Sequence, residues 1–403
     1  MAVKGGILTA TFLSFAILPL LASAFHPHIP VLLPFRSHHQ IDESPSHDGE
    51  YDMPIDDHPT EGHEKPKFEE GEEEHKEAAP NLNEPGFVSK PVEESGTEPS
   101  LEGLREGFYE QSCPQAENVV NEIINKHFRR DPTLAPAFVR LFFHDCFVTG
   151  CDASILLDET PSGEDVEKKA PHNGPFVRGF DIIDEIKAQL EAECPGAVSC
   201  ADVLAFANRD ALVYTGVPNY NVAAGRRDGW ASLARNVEGN LPLPESTAHE
   251  MIDLFQRKGM TLEELVILIG AHSIGTAHCA IVAGRFHDPQ KAKEIDHGYL
   301  IKMQTLVSCR NDSQDLAFDP YSHHKMDSRF YKELLKNQAL LESDHNLAKE
   351  PHANNIMKKY ADDQKGWSAK FTSTIIKLGQ VEVLTGNQGQ IRKQCRAVNH
   401  ALF

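Results

Sequence analysis

Arg140 and His144 stand four residues apart in Arg140-Leu-Phe-Phe-His144-Asp145-Cys146. On a helix that spacing puts both side chains on one face, one turn apart. Leu141, Phe142 and Phe143 make the segment apolar, so the pair is partly buried and needs partners. Far downstream, the apolar run Leu265-Val-Ile-Leu-Ile269 leads into Gly270-Ala-His272-Ser273-Ile-Gly275. A lone histidine after an apolar helix is ordinarily a core residue. Opposite an Arg/His pair, it could hold a flat cofactor between two helices. Just after His144, Asp145, Val148, Gly150, Asp152 and Ser154 offer carboxylate, hydroxyl and carbonyl oxygens in one tight loop. That is hard-cation chemistry and fits Ca²⁺. Cys146 and Cys151 bracket the loop, and a bridge between them would pre-form it.

The elements that must position these groups read as helices. Val119, Ile123, Ile124 and Phe128 follow helical spacing, as do Ile182, Ile183, Ile186 and Leu190. Val203, Leu204, Ala207 and Ala211 repeat it. So do Ile252 with Phe255, and Leu262, Leu265, Val266 and Ile269. Helix starts are expected at Asp131-Pro132, at Ser199 with Asp202, and at Thr261 with Glu264, the last two resembling capping boxes. Pro136 predicts a bent or late-starting helix, with the Arg140/His144 turn intact. Alternating strands and 20–50-residue repeats are absent. The expected fold is all-α with little β.

The 403 residues allow one large domain or two. Residues 1–24 read as a secretory signal: Lys4, an apolar Ile7–Leu21 stretch, then Ala22-Ser23-Ala24. That stretch is too short and interrupted for a membrane span. Residues 25–100 hold 19 Asp/Glu against 5 Lys/Arg, with 11 prolines and 8 histidines. Such a segment reads as a disordered extension or pro-segment, with metal capture by its His and Glu residues as the alternative. The net charge of −21 makes nucleic acid and anionic membrane poor partners. Eight cysteines in an exported chain argue for four disulfides, with about 105 connectivities open to eight cysteines.

Residues 104–399 resemble a plant secretory (class III) haem peroxidase. Phe108-Tyr109-x-x-Ser112-Cys113-Pro114 is similar to the family's mature start, and Arg140 to Asp158 to its distal signature. Arg178-Gly-Phe180, Val198-Ser-Cys-Ala-Asp202, Gly225-Arg-Arg-Asp228, Asn240-Leu-Pro242 and Gly270 to Gly275 follow in the family's order. Gly386-x-x-Gly389-x-Ile391-Arg392-x-x-Cys395-Arg396 closes the match. Single pieces are weak; together they are highly specific. The resemblance implies a domain over 101–403, with one haem b between a distal and a proximal helical half.

The resemblance also implies roles. His144 takes a proton from the peroxide and returns it to the departing oxygen, Arg140 stabilises developing charge, and Asn173 fixes the tautomer of His144. His272 is the iron ligand and Asp344 its hydrogen-bond partner, with Phe143 and Phe318 beside the haem. Asp145, Val148, Gly150, Asp152, Ser154 and Glu167 hold one calcium. Ser273, Asp319, Ser322, the Lys325 carbonyl and Asp327 hold a second, although serines replace the family's threonines and Tyr321-Ser-His-His-Lys325 is unusually basic. The implied bridges are Cys113–Cys194, Cys146–Cys151, Cys200–Cys395 and Cys279–Cys309. Pro242 offers a backbone carbonyl where aromatic donors dock, but Glu245 and Ile281 stand where some members carry aromatics. Asn311 lies in the only N-glycosylation sequon, Asn311-Asp-Ser313.

Together these imply a secreted, extracellular (apoplastic) monomer that reduces hydrogen peroxide and oxidises small phenolic donors in one-electron steps. A vacuolar location is disfavoured, because no long tail follows Cys395. Two alternatives remain. One is a peroxidase-like binding protein without turnover that acts through its acidic extension. The other treats that extension as a cell-wall affinity segment.

Overall fold

The computed structural model describes residues 103–307 and 314–399. The leader at 1–24, the acidic stretch 25–100, Cys309 and Asn311 lie outside the described residues. Thirteen α-helices run through the described residues. The first six are α1 (Ala116–Phe128), α2 (Leu134–Thr149), α3 (Phe180–Glu193), α4 (Cys200–Tyr214), α5 (Ala248–Arg257) and α6 (Leu262–Ile269). Then come β1 (Thr276–His278), α7 (Cys279–His287), α8 (Pro289–Ala292), α9 (His297–Leu306) and β2 (Asp315–Ala317). The last are α10 (Arg329–Leu334), α11 (Glu342–Lys349), α12 (Pro351–Ala361) and α13 (Gln364–Leu378). β1 and β2 pair antiparallel, with His278 opposite Asp315.

Two groups of helices share one core. α2 and α1 pack on α4, while α6 sits among α5, α12 and α13. α4 is buried from Cys200 to Leu212, so its apolar run needs no solvent face. α1 buries Ala116, Val120, Ile124 and Phe128, whereas Val119 and Ile123 are only half-buried. The inward stripe is thus rotated from the expected one, because α3 and α4 flank α1 on that side. A separate apolar cluster of Cys279, Phe286, Tyr299, Leu316 and Leu340 underlies the β1–β2 pair.

The helix starts differ in detail from expectation. α2 begins at Leu134, not Asp131, because the Asp131 carboxylate accepts from Thr133 N at 3.0 Å and closes a turn first. Pro136 therefore falls in the first turn, where its missing N–H costs nothing. Ser199 caps α4 through Asp202 N at 3.1 Å. The Asp202 carboxylate does not complete a box. It is taken by Tyr109 Oη at 2.7 Å and by Arg226 Nη1 at 2.8 Å. Thr261 and Glu264 form a full capping box on α6, and Thr247 with Glu250 form an unforeseen one on α5.

The bonds Cys113–Cys194, Cys146–Cys151 and Cys200–Cys395 are present. Cys279 is also disulfide-bonded.

Candidate active site

α2 presents Arg140, Phe143 and His144 half-buried, between buried Phe138, Val139, Leu141, Phe142 and Asp145 to Val148. His144 Nδ1 lies 2.6 Å from Asn173 Oδ1. Asn173 Nδ2 donates to the Glu167 carbonyl at 2.7 Å, which leaves Oδ1 to face the imidazole. The proton of His144 is therefore assigned to Nδ1 and Nε2 is an acceptor, here taking 3.2 Å from Arg140 Nε. Burial, and then the Arg140 charge, lower the His144 pKa to about 3. Arg140 is steadied by the His172 carbonyl at 3.2 Å. The site thus holds a neutral imidazole beside a fixed cation. Phe143 stacks on Phe147 with centroids 4.5 Å apart, which stiffens the same face of α2.

The 3-10 turn Gly270–Ser273 continues α6 and carries His272. Gly270 is needed there, since a Cβ would meet Trp367 and the Tyr331 hydroxyl at 2.8 Å. His272 Nδ1 lies 3.0 and 3.1 Å from the two oxygens of Asp344, on α11. Burial opposes charge on His272, but the Asp344 carboxylate and its hydrogen bond outweigh it, and the pKa is raised. Phe318 stacks on the ring at 4.6 Å and 14°, and Phe330 meets it edge-on at 6.0 Å. About the ring, 33% of the His272 side-chain surface is open. With Nδ1 taken by Asp344, Nε2 is left for a ligand.

The oxygen-rich loop after α2 crowds three carboxylates. Asp145 is raised well above the usual range by burial and by Asp152 and Glu167. Burial lifts Asp152 to about 6, and burial with Asp152 lifts Glu167 to about 8. Glu167 Oε1 is buried with no partner, while its other oxygen accepts from Ser154 Oγ at 3.2 Å. Gly150 takes φ 96°, with the Glu382 carbonyl against it. The Val148 carbonyl accepts from Lys258 Nζ at 3.2 Å. Arg392, fully buried, holds the Asp152 and Ala153 carbonyls at 3.1 and 2.7 Å. Among the described residues, no three His, Cys, Asp or Glu side chains by themselves make a metal site. A cation here needs the carbonyls and Ser154 as well, which is the mixed oxygen set of Ca²⁺. The unpartnered Glu167 Oε1 and the mutual repulsion of the three carboxylates fit it.

The second set also meets in one loop, but its oxygens are occupied. Ser273 Oγ donates to Met326 Sδ at 3.3 Å and accepts from Asp327 N at 3.2 Å. Asp319 accepts from Tyr321 N at 2.7 Å and from Ser322 Oγ at 2.9 Å. Asp327 accepts from Arg329 N at 3.0 Å. The Lys325 side chain is exposed. Pro242 is half-buried, on a segment whose Pro244 carbonyl accepts from Ser343 N at 2.8 Å, next to Asp344. Glu245 and Ile281 are exposed.

A flat, iron-bearing cofactor fits this pair of walls. One wall ends in an imidazole with an uncommitted Nε2, and the other carries a neutral imidazole and a guanidinium. Each ring nitrogen facing away is fixed by its own partner. The sequence did not disclose three supports: the Glu167 carbonyl behind Asn173, Arg392 under the loop, and Phe330 against His272. Only Arg392 belonged to a recognised motif. The others are set by tertiary contacts that leave no local spacing signal.

The peroxidase family model matches residues 120–363, which span Arg140, His144, Asn173, His272 and Asp344. The chain is similar to Peroxidase 39 of Arabidopsis thaliana, 39% identical over 303 residues, covering 73% of this chain and 93% of that protein. It is 41% identical over 308 residues to Peroxidase 5 of Vitis vinifera, covering 73% and 92%. It is 38% identical over 310 residues to Peroxidase 1 of Zea mays, covering 74% and 84%. The similarity therefore covers nearly whole relatives, and this helical chain belongs to the plant haem peroxidase family and is a peroxidase.

Proposed function

We propose that this chain is a secreted peroxidase that reduces hydrogen peroxide to water and oxidises small phenolic donors in one-electron steps. The observation that carries the reading is the pair of histidines each held at Nδ1 by its own partner, His144 by Asn173 Oδ1 with Arg140 at its Nε2, and His272 by the Asp344 carboxylate. When bound, haem supplies the electrons that cleave the O–O bond and the oxidising equivalents that the donors later discharge.

His272 Nε2 would hold the haem iron, and Asp344 orients the ring and raises its electron donation. His144 Nε2 takes the proton from the peroxide oxygen that attacks and returns it to the oxygen that leaves as water. Asn173 keeps the Nδ1 proton in place so that Nε2 stays an acceptor. Arg140 stands 3.2 Å from that nitrogen and offsets the negative charge that grows as the bond breaks. Pro242 presents its carbonyl to the phenol hydroxyl. One calcium is held by Asp145, Val148, Gly150, Asp152, Ser154 and Glu167, and a second by Ser273, Asp319, Ser322, Lys325 and Asp327. Residues 1–24 direct export, the acidic stretch 25–100 is an extension or a pro-segment, and Asn311 carries glycan.

The test is the full chain, purified with haem. The reading expects a Soret band and peroxide-dependent guaiacol oxidation. A bound haem without turnover would overturn it.

A further inference from the structure

Two rings from opposite sides of the cleft touch. Phe176 ends the 3-10 turn Gly174–Phe176, which starts at Asn173, the residue that holds His144. His278 ends β1, six residues beyond His272. Their ring centroids are 3.8 Å apart at 32°. The strand opposite His278 leads directly into Phe318, the ring stacked on His272. This one contact therefore joins the element behind the distal histidine to the strand pair beside the proximal one.

The two rings are not equally anchored. His278 is set in the β1–β2 ladder opposite Asp315, and the next residue, Cys279, is disulfide-bonded. Asp315 Oδ1 lies 2.8 Å from His278 Nδ1, too oblique for a directed hydrogen bond, so the contact is electrostatic. Phe176 stands on a three-residue turn and is 36% exposed. Its neighbours are tied outward, with Arg178 bonded to Asp131 at 2.7 Å. Nearby, the Pro136 ring of α2 lies 3.1 Å from where a Gly275 Cβ would stand, so α2 closes on the turn before β1 there. Of the two rings, Phe176 is the one outside a strand ladder, and it can turn about its side-chain bonds.

We propose that Phe176 is a specificity-determining residue. Stacked on His278, it forms a latch that narrows the cleft mouth to single-ring donors, a role that rests on the peroxidase reading above. At 3.8 Å between centroids no donor ring fits between the two. A wider aromatic donor must turn Phe176 aside, and it then finds the face of His278 free to stack upon. Single-ring donors use the opening that remains with the latch shut. The cost of parting the two rings therefore falls on wide donors only.

The test uses the full-length holoprotein in its resting state, titrated with phenol and with 2-naphthol and followed by the Soret difference spectrum. Phe176→Ala tightens 2-naphthol by about two- to tenfold, the worth of one aromatic pair, and changes phenol by less than about twofold. Phe176→Leu keeps apolar bulk without the stack. It shifts 2-naphthol in the same direction by less, and it serves where the alanine variant folds poorly. Equal changes for both ligands, or no change for 2-naphthol, overturn the latch while leaving the peroxidase reading intact. A wild-type protein without a Soret band removes both.

Discussion

His144 and His272 carry the same ring, and their surroundings shift its proton affinity in opposite directions. His144 has Arg140 in front and an amide behind, so its charged form gains nothing to offset burial. Because its folded pKa is lowered to about 3, acid must reach that range before the base is lost. The rate constant for reaction with peroxide should therefore be flat from about pH 8 to about pH 5, falling only in stronger acid; stopped-flow across that range checks it. His272 has a carboxylate behind it, and Asp344→Asn removes the charge while keeping an acceptor. That change should lower activity by about 10–100-fold. It should also raise the ferric/ferrous potential, read by spectroelectrochemistry. Arg140, His144 and His272 were legible in the sequence because helical spacing and an apolar context mark them. Phe330 and the Phe176–His278 contact were not, since nothing local in the chain records which rings meet across a cleft.

At the scale of elements, the loop after α2 stores charge repulsion that a cation would relieve. Glu167 and Asp152 have folded pKa values raised to about 8 and about 6. A raised carboxylate contributes stability at low pH and loses it as pH rises through the folded value. Metal-free protein should therefore be less stable at about pH 8 than at about pH 6, with calcium restoring the difference. The melting temperature should move by about 2–4 °C per kcal/mol; calorimetry with chelator and with added calcium reads it. α6 offers a packing test. Gly270→Ala places a methyl 2.8 Å from Trp367 and Tyr331 and should cost about 1–3 kcal/mol in urea unfolding. The helices themselves were legible from apolar periodicity, and capping at Thr261 from its box. The rotation of α1 and the late start of α2 were not. The first depends on which neighbours flank the helix, the second on an Asp131 turn that competes with the helix for Thr133.

Over the whole molecule, the two halves are tied by their ends as much as by their core. Cys200–Cys395 closes 195 residues and returns the last segment to α4. Arg392 reaches from that segment to the carbonyls of the oxygen-rich loop. Replacing both cysteines of this bond by serine should cost about 2–5 kcal/mol, measured by chemical denaturation. Cysteine count alone left the pairing open, and only the family resemblance selected one. The most direct measurement of the account as a whole is stopped-flow loss of the resting Soret band on mixing holoprotein with hydrogen peroxide, wild type against His144→Ala. The account predicts a slowing of about 10²–10⁴-fold in the variant. An undiminished rate would contradict it, for the cleft would then cleave peroxide without the base on which the whole assignment turns.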